Sequence, residues 1–395
     1  MNNRLKLLHL TASLHIGGAE RIILSLAEKM DRTQFETHVC VLGKFDDHSF
    51  LPEFQKVGVK LHVIPIKRFY SPRGLWETMR YLRRHQFDIL HTHLTDADIV
   101  GRVAGWLTNT SVISTLHNTP FNYNNQRFDR RWLLRATARL FPSHFVGVSD
   151  QISDLFMKEW RIPRERISTI HNATPLEDFL SIPVGTAVST APDDKSGASM
   201  VTITNIGSLT PQKAQHLLLE AAQIVLQQRP NTRFFITGVG PLEQQLKAQA
   251  QELGIADQVV FTGLVRDIPK LLGQTDIFIL PSLWEGLPIS VIEAMAAARP
   301  IVVTDVGGNR ELFESGVGGI IVPPGDVPAL AHALLSLIDD KPLRLAMGQN
   351  ARQRAEATFS FDRFAHAYAS LYQRVAASNG RLFTAAATAK EEVKI

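Results

Sequence analysis

Glu285 and Glu293 bracket seven uncharged, mostly apolar residues in Pro281-Ser-Leu-Trp-Glu-Gly-Leu-Pro-Ile-Ser-Val-Ile-Glu-Ala-Met295. Pro288 suits a first helical turn, which puts Glu285 in the preceding loop and Glu293 inside a helix reading ISVIEAMAAA. That helix is apolar almost all round, so it should be buried. A carboxylate there is costly unless something hydrogen-bonds it. Two arrangements meet the demand. One is an internal salt bridge, with Lys213 or Arg310 as the cation. In the other, both carboxylates face a cleft and accept hydroxyl hydrogens from a sugar and a ribose, while the amides of Gly286, Leu287 and Ile289 face a diphosphate.

Other anion-binding candidates share one local pattern, a glycine turn between a strand and a helix. NIGSLTPQKAQH carries Gly207, with Lys213 at or near the next helix start. TGVGPLEQQL carries Gly238, Gly240 and Pro241, and TDVGGNREL carries Gly307 and Gly308. Glycine lets a backbone approach a ligand closely, and helix N-terminal amides attract phosphate. Steric demand alone also fills α/β turns with glycine, so convergence on one sheet edge is what gives the pattern force.

The elements that must position these residues alternate β-branched or leucine-rich runs with amphipathic stretches, as in α/β parallel sheets. The first half offers strands RLKLLHL, THVCVLG, VKLHVIPI, FDILHTH, SVISTLH and HFVGVS, with helices such as Ala19–Met30 and Leu75–His85. The second offers VTITNIGS, TRFFITGVG, QVVFTGL, DIFILPS, PIVVTDV and GGIIVPP. Its helices are expected at about 213–228, 241–253, 266–273, 288–298, 308–315 and 326–339. Residues 181–200, rich in Pro, Gly, Ser and Thr, read as a linker between a domain at 1–180 and another at 201–360. A last helix at 361–378 is expected to pack back on the first domain, with a polar tail at 379–395. Parallel sheets bind ligands at the carboxyl ends of their strands, so two doubly wound domains should face each other across a cleft.

Bulk composition agrees with a soluble two-domain protein: 395 residues, 45% hydrophobic and 20% charged. No apolar run approaches the roughly 20 residues that span a bilayer. The start MNNRLKLLHLTASLH fits a buried first strand better than a secretory signal. The one cysteine, Cys40, lies in the apolar run THVCVLG, which suits a core position and a cytoplasmic location. Positive charge is concentrated in residues 1–190, which hold 24 Lys and Arg against 18 Asp and Glu. An anionic partner or membrane surface would act there.

The pattern Glu285–x7–Glu293 after LPS, with Gly-Leu-Pro between, resembles the retaining glycosyltransferase family 4, of GT-B fold. HIGGAERIILSLA is similar to that family's N-terminal Gly-Gly-x-Glu loop, and STLHN to its histidine segment. VGVSD, ISTIHNATPLEDF, TGVGP, FTGLV and VTDVGGNRE follow in the family's order. The resemblance implies a metal-independent enzyme without cofactor, moving a sugar from a nucleotide-sugar donor, UDP-linked, to a glycan or lipid-linked acceptor. By the same resemblance Glu293 binds the donor ribose and Glu285 approaches the transferred sugar. Lys213 neutralises the diphosphate, Gly17 and Gly18 offer amides, and His117 contacts the donor sugar near its reacting centre. The backbone of Gly263, Leu264 and Val265 holds the base, while Ser208, Gly238, Gly240, Gly286, Leu287, Pro288 and Ile289 complete the donor site.

One departure is clear. The family's usual arginine is replaced by Ser208 in GSLTPQK, so one of two expected diphosphate cations is missing from its place. Lys213 then matters more, or Arg310 substitutes. His91 and His93 in HTHLTDAD mimic metal-ligand spacing with Asp96 and Asp98, but a non-metal role is expected, with Asp96 towards the acceptor. Segments 67–84 and 124–141 interleave arginines with Trp, Leu and Phe. They read as ordinary surface helices, or as helices that lie on the inner face of an anionic membrane. No nucleic-acid-binding module is visible. Two rival readings share the architecture: a nucleotide-sugar epimerase, which the glutamate pair disfavours, and a non-catalytic sugar-nucleotide-binding module.

Overall fold

The computed structural model describes residues 4–15, 17–43, 49–66, 72–120, 128–184 and 200–378. The tail, nearly all of the expected linker, and residues 67–71 and 124–127 of the two basic segments lie outside the described residues. The chain divides into two compact units. The first comprises residues 1–148, 152–170 and 365–395; the second comprises 149–151 and 171–364.

The first unit is built on seven parallel strands: β1 Leu5–Thr11, β2 Phe35–Leu42, β3 Lys60–Ile64, β4 Ile89–His93, β5 Ser111–Leu116, β6 His144–Gly147 and β7 Ile167–Thr169. Their order is β3-β2-β1-β4-β5-β6-β7, so the direction of winding reverses between β1 and β4. Side chains alternate across a strand, and the register pairs His9 with His91, Thr11 with His93, and His93 with Thr115. His9, His91, His93 and Thr115 therefore share one face. On the opposite face Leu8, Leu10 and Leu90 pack with Cys40, Leu82, Val100 and Val112. Each fully buried aliphatic side chain there contributes about 1.5–3 kcal/mol. Burial in this apolar cluster also raises the Cys40 thiol far above its ordinary range.

The second unit carries six parallel strands: β8 Val201–Ile206, β9 Thr232–Thr237, β10 Val259–Gly263, β11 Ile277–Leu280, β12 Ile301–Thr304 and β13 Gly319–Val322. Their order is β10-β9-β8-β11-β12-β13, which reverses between β8 and β11. The sheet is nearly continuous Val, Ile and Phe because helices cover both faces.

Several element bounds differ from the expected ones. Lys213 ends a single 3-10 turn, Pro211–Lys213, and helix Gln215–Gln228 starts only after Ala214 turns left-handed at φ 49°. The helix expected at 308–315 stops at Leu312, because Phe313 is extended and buries its ring. A further helix, Lys341–Thr358, has no counterpart among the expected ones. Its buried face is Met347, Gly348, Ala351 and Ala355, too small to give an apolar stripe.

Candidate active site

The reversal point of an open parallel sheet leaves a crevice, because adjacent loops leave in opposite directions. In the second unit the loops after β8 and β11 meet there. The Lys213 Nζ lies 2.5 Å from Glu285 Oε1, which also accepts from Ser282 Oγ at 2.6 Å. Gln212 ties the loops together: its amide donates to the Trp284 carbonyl at 2.9 Å, and its own carbonyl accepts from the Leu283 N–H at 2.9 Å. Glu285 is 4% exposed, so this is a largely desolvated ion pair.

Lys213 pairs with Glu285, and Arg310, in helix Asn309–Leu312, is engaged by Asp305 on the loop after β12. Glu293 is 3% exposed and sits inside helix Ile289–Ala296, whose N-cap is Pro288. Arg310 is exposed, and its guanidinium binds both oxygens of Asp305. Using it to replace the missing arginine would first require breaking that pair.

The glycine turns act mainly as spacers between loops. A Cβ on Gly238 would stand 2.1 Å from the Gly207 carbonyl oxygen, and one on Gly240 would stand 2.4 Å from that of Leu209. Gly307, at φ +52°, holds its Cα against the Glu285 carbonyl in the same way, and Gly308 lies against Gly286 and Leu287. The Gly238 amide is already spent on the Gly263 carbonyl at 2.9 Å, and that of Gly308 on Gly286 at 2.7 Å. These two residues supply closeness between loops, not amides for a ligand. At Gly207 the lysine stem lies across the glycine, with its Cδ 3.3 Å from where a Cβ would be. Ser208 is exposed at the same turn, and Gly263, Leu264 and Val265 are half-buried at the end of β10.

Two residues from the IHNAT stretch brace this site, and their roles were not visible in sequence. Asn172 donates to the Leu287 carbonyl at 2.7 Å. His171 bonds Glu311 at 2.7 Å, and the same carboxylate accepts the amides of Asp150 and Gln151. These contacts hold the Glu311 carboxyl below its ordinary range, against the upward push of its burial. Asp150, His171 and Glu311 are close enough to share a metal ion. Glu311 is already bonded to His171 and to the amides of Asp150 and Gln151, which accounts for the clustering without one.

In the first unit the loop after β1 carries Gly17 and Gly18, and Gly18 opens helix Gly18–Lys29. Glu20 is buried beside them, accepting from Ser13 Oγ at 2.9 Å, and burial raises its carboxyl. A Cβ on Gly17 would meet the Glu20 carboxylate at 2.8 Å. At the ends of β4 and β5 stand the histidines. His93 Nδ1 lies 3.0 Å from His117 Nε2, and His93 Nε2 lies 3.1 Å from His9 Nδ1. His91 contacts the Tyr372 hydroxyl at 2.8 Å and Thr115 Oγ1 at 2.7 Å, and Thr115 in turn meets Tyr368. Burial drives His9 and His117 down to about 4, and His91 and His93 well below the ordinary imidazole value. All four rings are therefore neutral at pH 7. Directly after His93, Leu94 takes φ 69° and ψ 157°, a region otherwise left to glycine.

The aspartates that suggested a metal pattern with His91 and His93 point elsewhere. Asp98 bonds Thr92 at 2.6 Å and lies beside Arg102, on the other face of the sheet. Asp96 holds Arg130 and is thereby committed within the protein. The arginine stripe of helix Phe128–Leu140 is likewise largely committed. Arg135 lies over Trp160, 6.0 Å from the ring centroid, and Arg139 donates to the Trp160 carbonyl at 3.4 Å. The large apolar side chains that the helices of this unit expose include Trp76, Trp106, Phe128 and Trp132, the first and third with Arg80 and Arg131 stacked over them, together with Leu107 and Leu140.

Comparison with known proteins bears on all of this. Residues 16–178 match the family model described as Glycosyltransferase Family 4, and residues 196–354 match that described as Glycosyl transferases group 1. The Escherichia coli UDP-Gal:alpha-D-GlcNAc-diphosphoundecaprenol alpha-1,3-galactosyltransferase is 26% identical over 370 residues, 89% of this chain and 92% of its own. An uncharacterized glycosyltransferase of Methanocaldococcus jannaschii is 25% identical over 388 residues, 93% of this chain and 96% of its own. Among solved structures, HepE of Anabaena in complex with UDP and glucose superposes with a TM-score of 0.81 at 22% identity, covering 94% of this chain and all of its own.

Proposed function

Because this chain belongs to the group 1 glycosyltransferases, of family 4 type and GT-B fold, we propose that it takes a sugar from a UDP-sugar and transfers it, with retained anomeric configuration, to a lipid-linked or glycan acceptor in cell-surface polysaccharide or glycolipid synthesis. The observation that carries this reading is the desolvated Lys213–Glu285 pair at the reversal point of the second sheet, with Glu293 buried in the helix that follows. The donor and acceptor classes draw on the Escherichia coli relative, whose name gives a UDP-galactose donor and a diphosphoundecaprenol-linked acceptor.

Within this reading Lys213 stabilises the departing diphosphate. Charge developing on the leaving oxygens is best met by a preorganised cation in a dry site. As the diphosphate binds, Lys213 shares its proton donors between that anion and Glu285, whose Oε2, held by a long contact from the Gln212 side-chain amide at 3.4 Å, is the oxygen that turns to a hydroxyl of the transferred sugar. Glu293 receives the ribose, and the Gly263–Val265 backbone takes the base edge. Ser208 donates a hydrogen bond where the family places a cation, so Lys213 carries the cationic role and no step requires a metal. His117 and the Gly17–Gly18 amides keep the donor-side roles that the family resemblance gives them.

The exposed aromatic residues of the first unit support a further part of the proposal, a peripheral contact with the inner face of an anionic membrane, where a lipid-linked acceptor resides. Among the described residues no helix is long and apolar enough to cross a membrane.

The test is a thermal-shift panel of nucleotide sugars followed by a transfer assay on lipid-linked acceptors. A UDP-sugar should raise the melting temperature and yield acceptor-dependent UDP release. Glu285→Gln should depress kcat by a hundredfold or more, and Glu293→Gln should chiefly raise the donor KM. Full activity in both variants would overturn the site assignment, and UDP release without an acceptor would favour an epimerase or hydrolase.

A further inference from the structure

We propose that His9 and His93 form a directional hydrogen-bond chain that fixes His117 as its Nδ1–H tautomer, so that His117 acts as a hydrogen-bond donor and never as a base. The proposal rests on the reading of His117 as a donor-sugar contact, but it is tested apart from it.

The chain has three rings joined by two contacts. His117 Nε2 meets His93 Nδ1 at 3.0 Å, and His93 Nε2 meets His9 Nδ1 at 3.1 Å. The far nitrogen of the chain, His9 Nε2, is buried and has no hydrogen-bond partner among the described residues. Because every ring is neutral, each carries one proton, and only two ordered arrangements satisfy both contacts. In the first, His9 donates to His93 and His93 donates to His117. The proton of His117 is then on Nδ1, and His9 Nε2 is a bare lone pair. In the second, all donors reverse and His9 Nε2 becomes a buried N–H without an acceptor. An orphaned buried N–H is the rarer and costlier defect of the two. The first arrangement is therefore the stable one.

The environment holds this order in place. His9 and His93 are 0% exposed, while His117 is the one partly exposed member, at the end of β5. His91 stands beside them, its ring centroid 4.1 Å from that of His93, but its two nitrogens are taken by Tyr372 and Thr115. It fills the space without competing for the chain. His9, His91 and His93 come close enough to hold a metal ion, yet five of their six ring nitrogens already face a hydroxyl or another imidazole. A shared ion would have to break most of those bonds.

The consequence for chemistry is specific. With Nε2 accepting from His93 and Nδ1 protonated, His117 has no lone pair left to take a proton from an acceptor hydroxyl. It can only donate, for example to a hydroxyl oxygen of the donor sugar. His9 and His93 are then positioning residues, acting on the ligand only through His117.

The experiment is a long-range proton–nitrogen correlation on the full chain labelled with 15N-histidine, at pH 7.5 without ligand, with His117 assigned by its loss in His117→Asn. The expected result is a protonated Nδ1 on His117. In His93→Leu the His117 signals should become those of a tautomer mixture. In His93→Asn, whose side-chain amide falls near the position of Nδ1, the single tautomer should return. With a UDP-sugar, His93→Leu should lower kcat ten- to hundredfold with the donor KM little changed, and His93→Asn should recover most of it. A protonated Nε2 on His117 in the wild type would overturn the proposal, whether or not any variant folds. So would a stoichiometric bound metal, or an unchanged tautomer in a folded His93→Leu. Absence of sugar transfer by the wild type would sink the functional reading and leave the tautomer result standing.

Discussion

Lys213 and Glu285 meet at 2.5 Å where the loops after β8 and β11 part, so the cation proposed to face the diphosphate is held by the carboxylate proposed to face the sugar. The two roles cannot be altered independently. Lys213→Met should leave a buried carboxylate without its cation and cost about 3–5 kcal/mol. Glu285→Gln keeps the Ser282 contact and frees a less buried lysine, so its cost should be about 1 kcal/mol. The double variant should be more stable than Lys213→Met alone, while transfer stays abolished. Denaturant titration of the four proteins measures this, and strict additivity would show that the pair is not coupled.

Gly238 and Gly254 separate close approach from conformational need. Both have positive φ, but a Cβ on Gly254 meets nothing within 4 Å, while one on Gly238 overlaps the Gly207 carbonyl at 2.1 Å. Gly254→Ala should cost only about 1–2 kcal/mol of left-handed strain and leave transfer intact. Gly238→Ala should displace the loop that carries Lys213, lowering kcat at least tenfold as well as the melting temperature. Equal effects of the two substitutions would contradict the spacer role.

Arg161 and Gln86 are exposed residues with φ 54° just beyond helices Asp150–Trp160 and Pro72–His85. Each sits where glycine is favoured. Arg161→Gly and Gln86→Gly should each raise stability by up to about 1 kcal/mol, seen as a higher melting temperature with unchanged activity. A fall in melting temperature would mean that these side chains make contacts worth more than the strain.

The buried histidines predict a pH dependence with a definite sign. His9, His117 and His144, each at about 4, and His91 and His93, which burial holds well below their ordinary value, bind fewer protons folded than unfolded. Their contribution is complete above the ordinary imidazole value of 6.5 and is lost as pH falls from there towards 4. Each such group steepens the decline by about 1.4 kcal/mol per pH unit. Between pH 6.5 and 5, where unfolded carboxylates stay ionised, the proton uptake on unfolding should grow from about half a proton per ring to nearly one per ring. Midpoints in urea across that window check the slope; a flat profile would mean that these rings are protonated in the fold.

For the membrane contact, the exposed aromatic residues are the informative positions. Trp132→Ala with Phe128→Ala should weaken co-sedimentation with anionic vesicles several-fold. Arg130 and Arg135 are engaged by Asp96 and Trp160, so reversing their charge would test the fold as much as the surface. Vesicle binding unchanged by the aromatic pair would remove the membrane from the proposal.

Much of the scaffold was legible because parallel strands buried on both faces are written as runs such as DIFILPS and PIVVTDV. Helix Lys341–Thr358 was not, since it buries alanine and glycine where a pattern needs leucine. In the site, the glutamate spacing was readable, but the partner of Lys213 was not. Spacing along the chain does not say that β8 lies beside β11. The same holds more strongly for His9, His93 and His117, which become neighbours only through the order β1-β4-β5. Tyr368 and Tyr372 reach this group from more than 250 residues away in sequence.

Those two tyrosines lie on helix Phe361–Ala377, which from Ala365 onward belongs to the first unit although the whole second unit precedes it in the chain. During synthesis the first unit must therefore wait. The contacts that Tyr368 and Tyr372 make with Thr115 and His91 cannot form until residues 365–377 emerge, long after the strands themselves are available. The second unit, with nearly all of its chain in one stretch, can close first. A chain truncated after Phe364 should expose protease-sensitive sites in the first unit while the second unit already resists digestion, reversing the order in which the two were made.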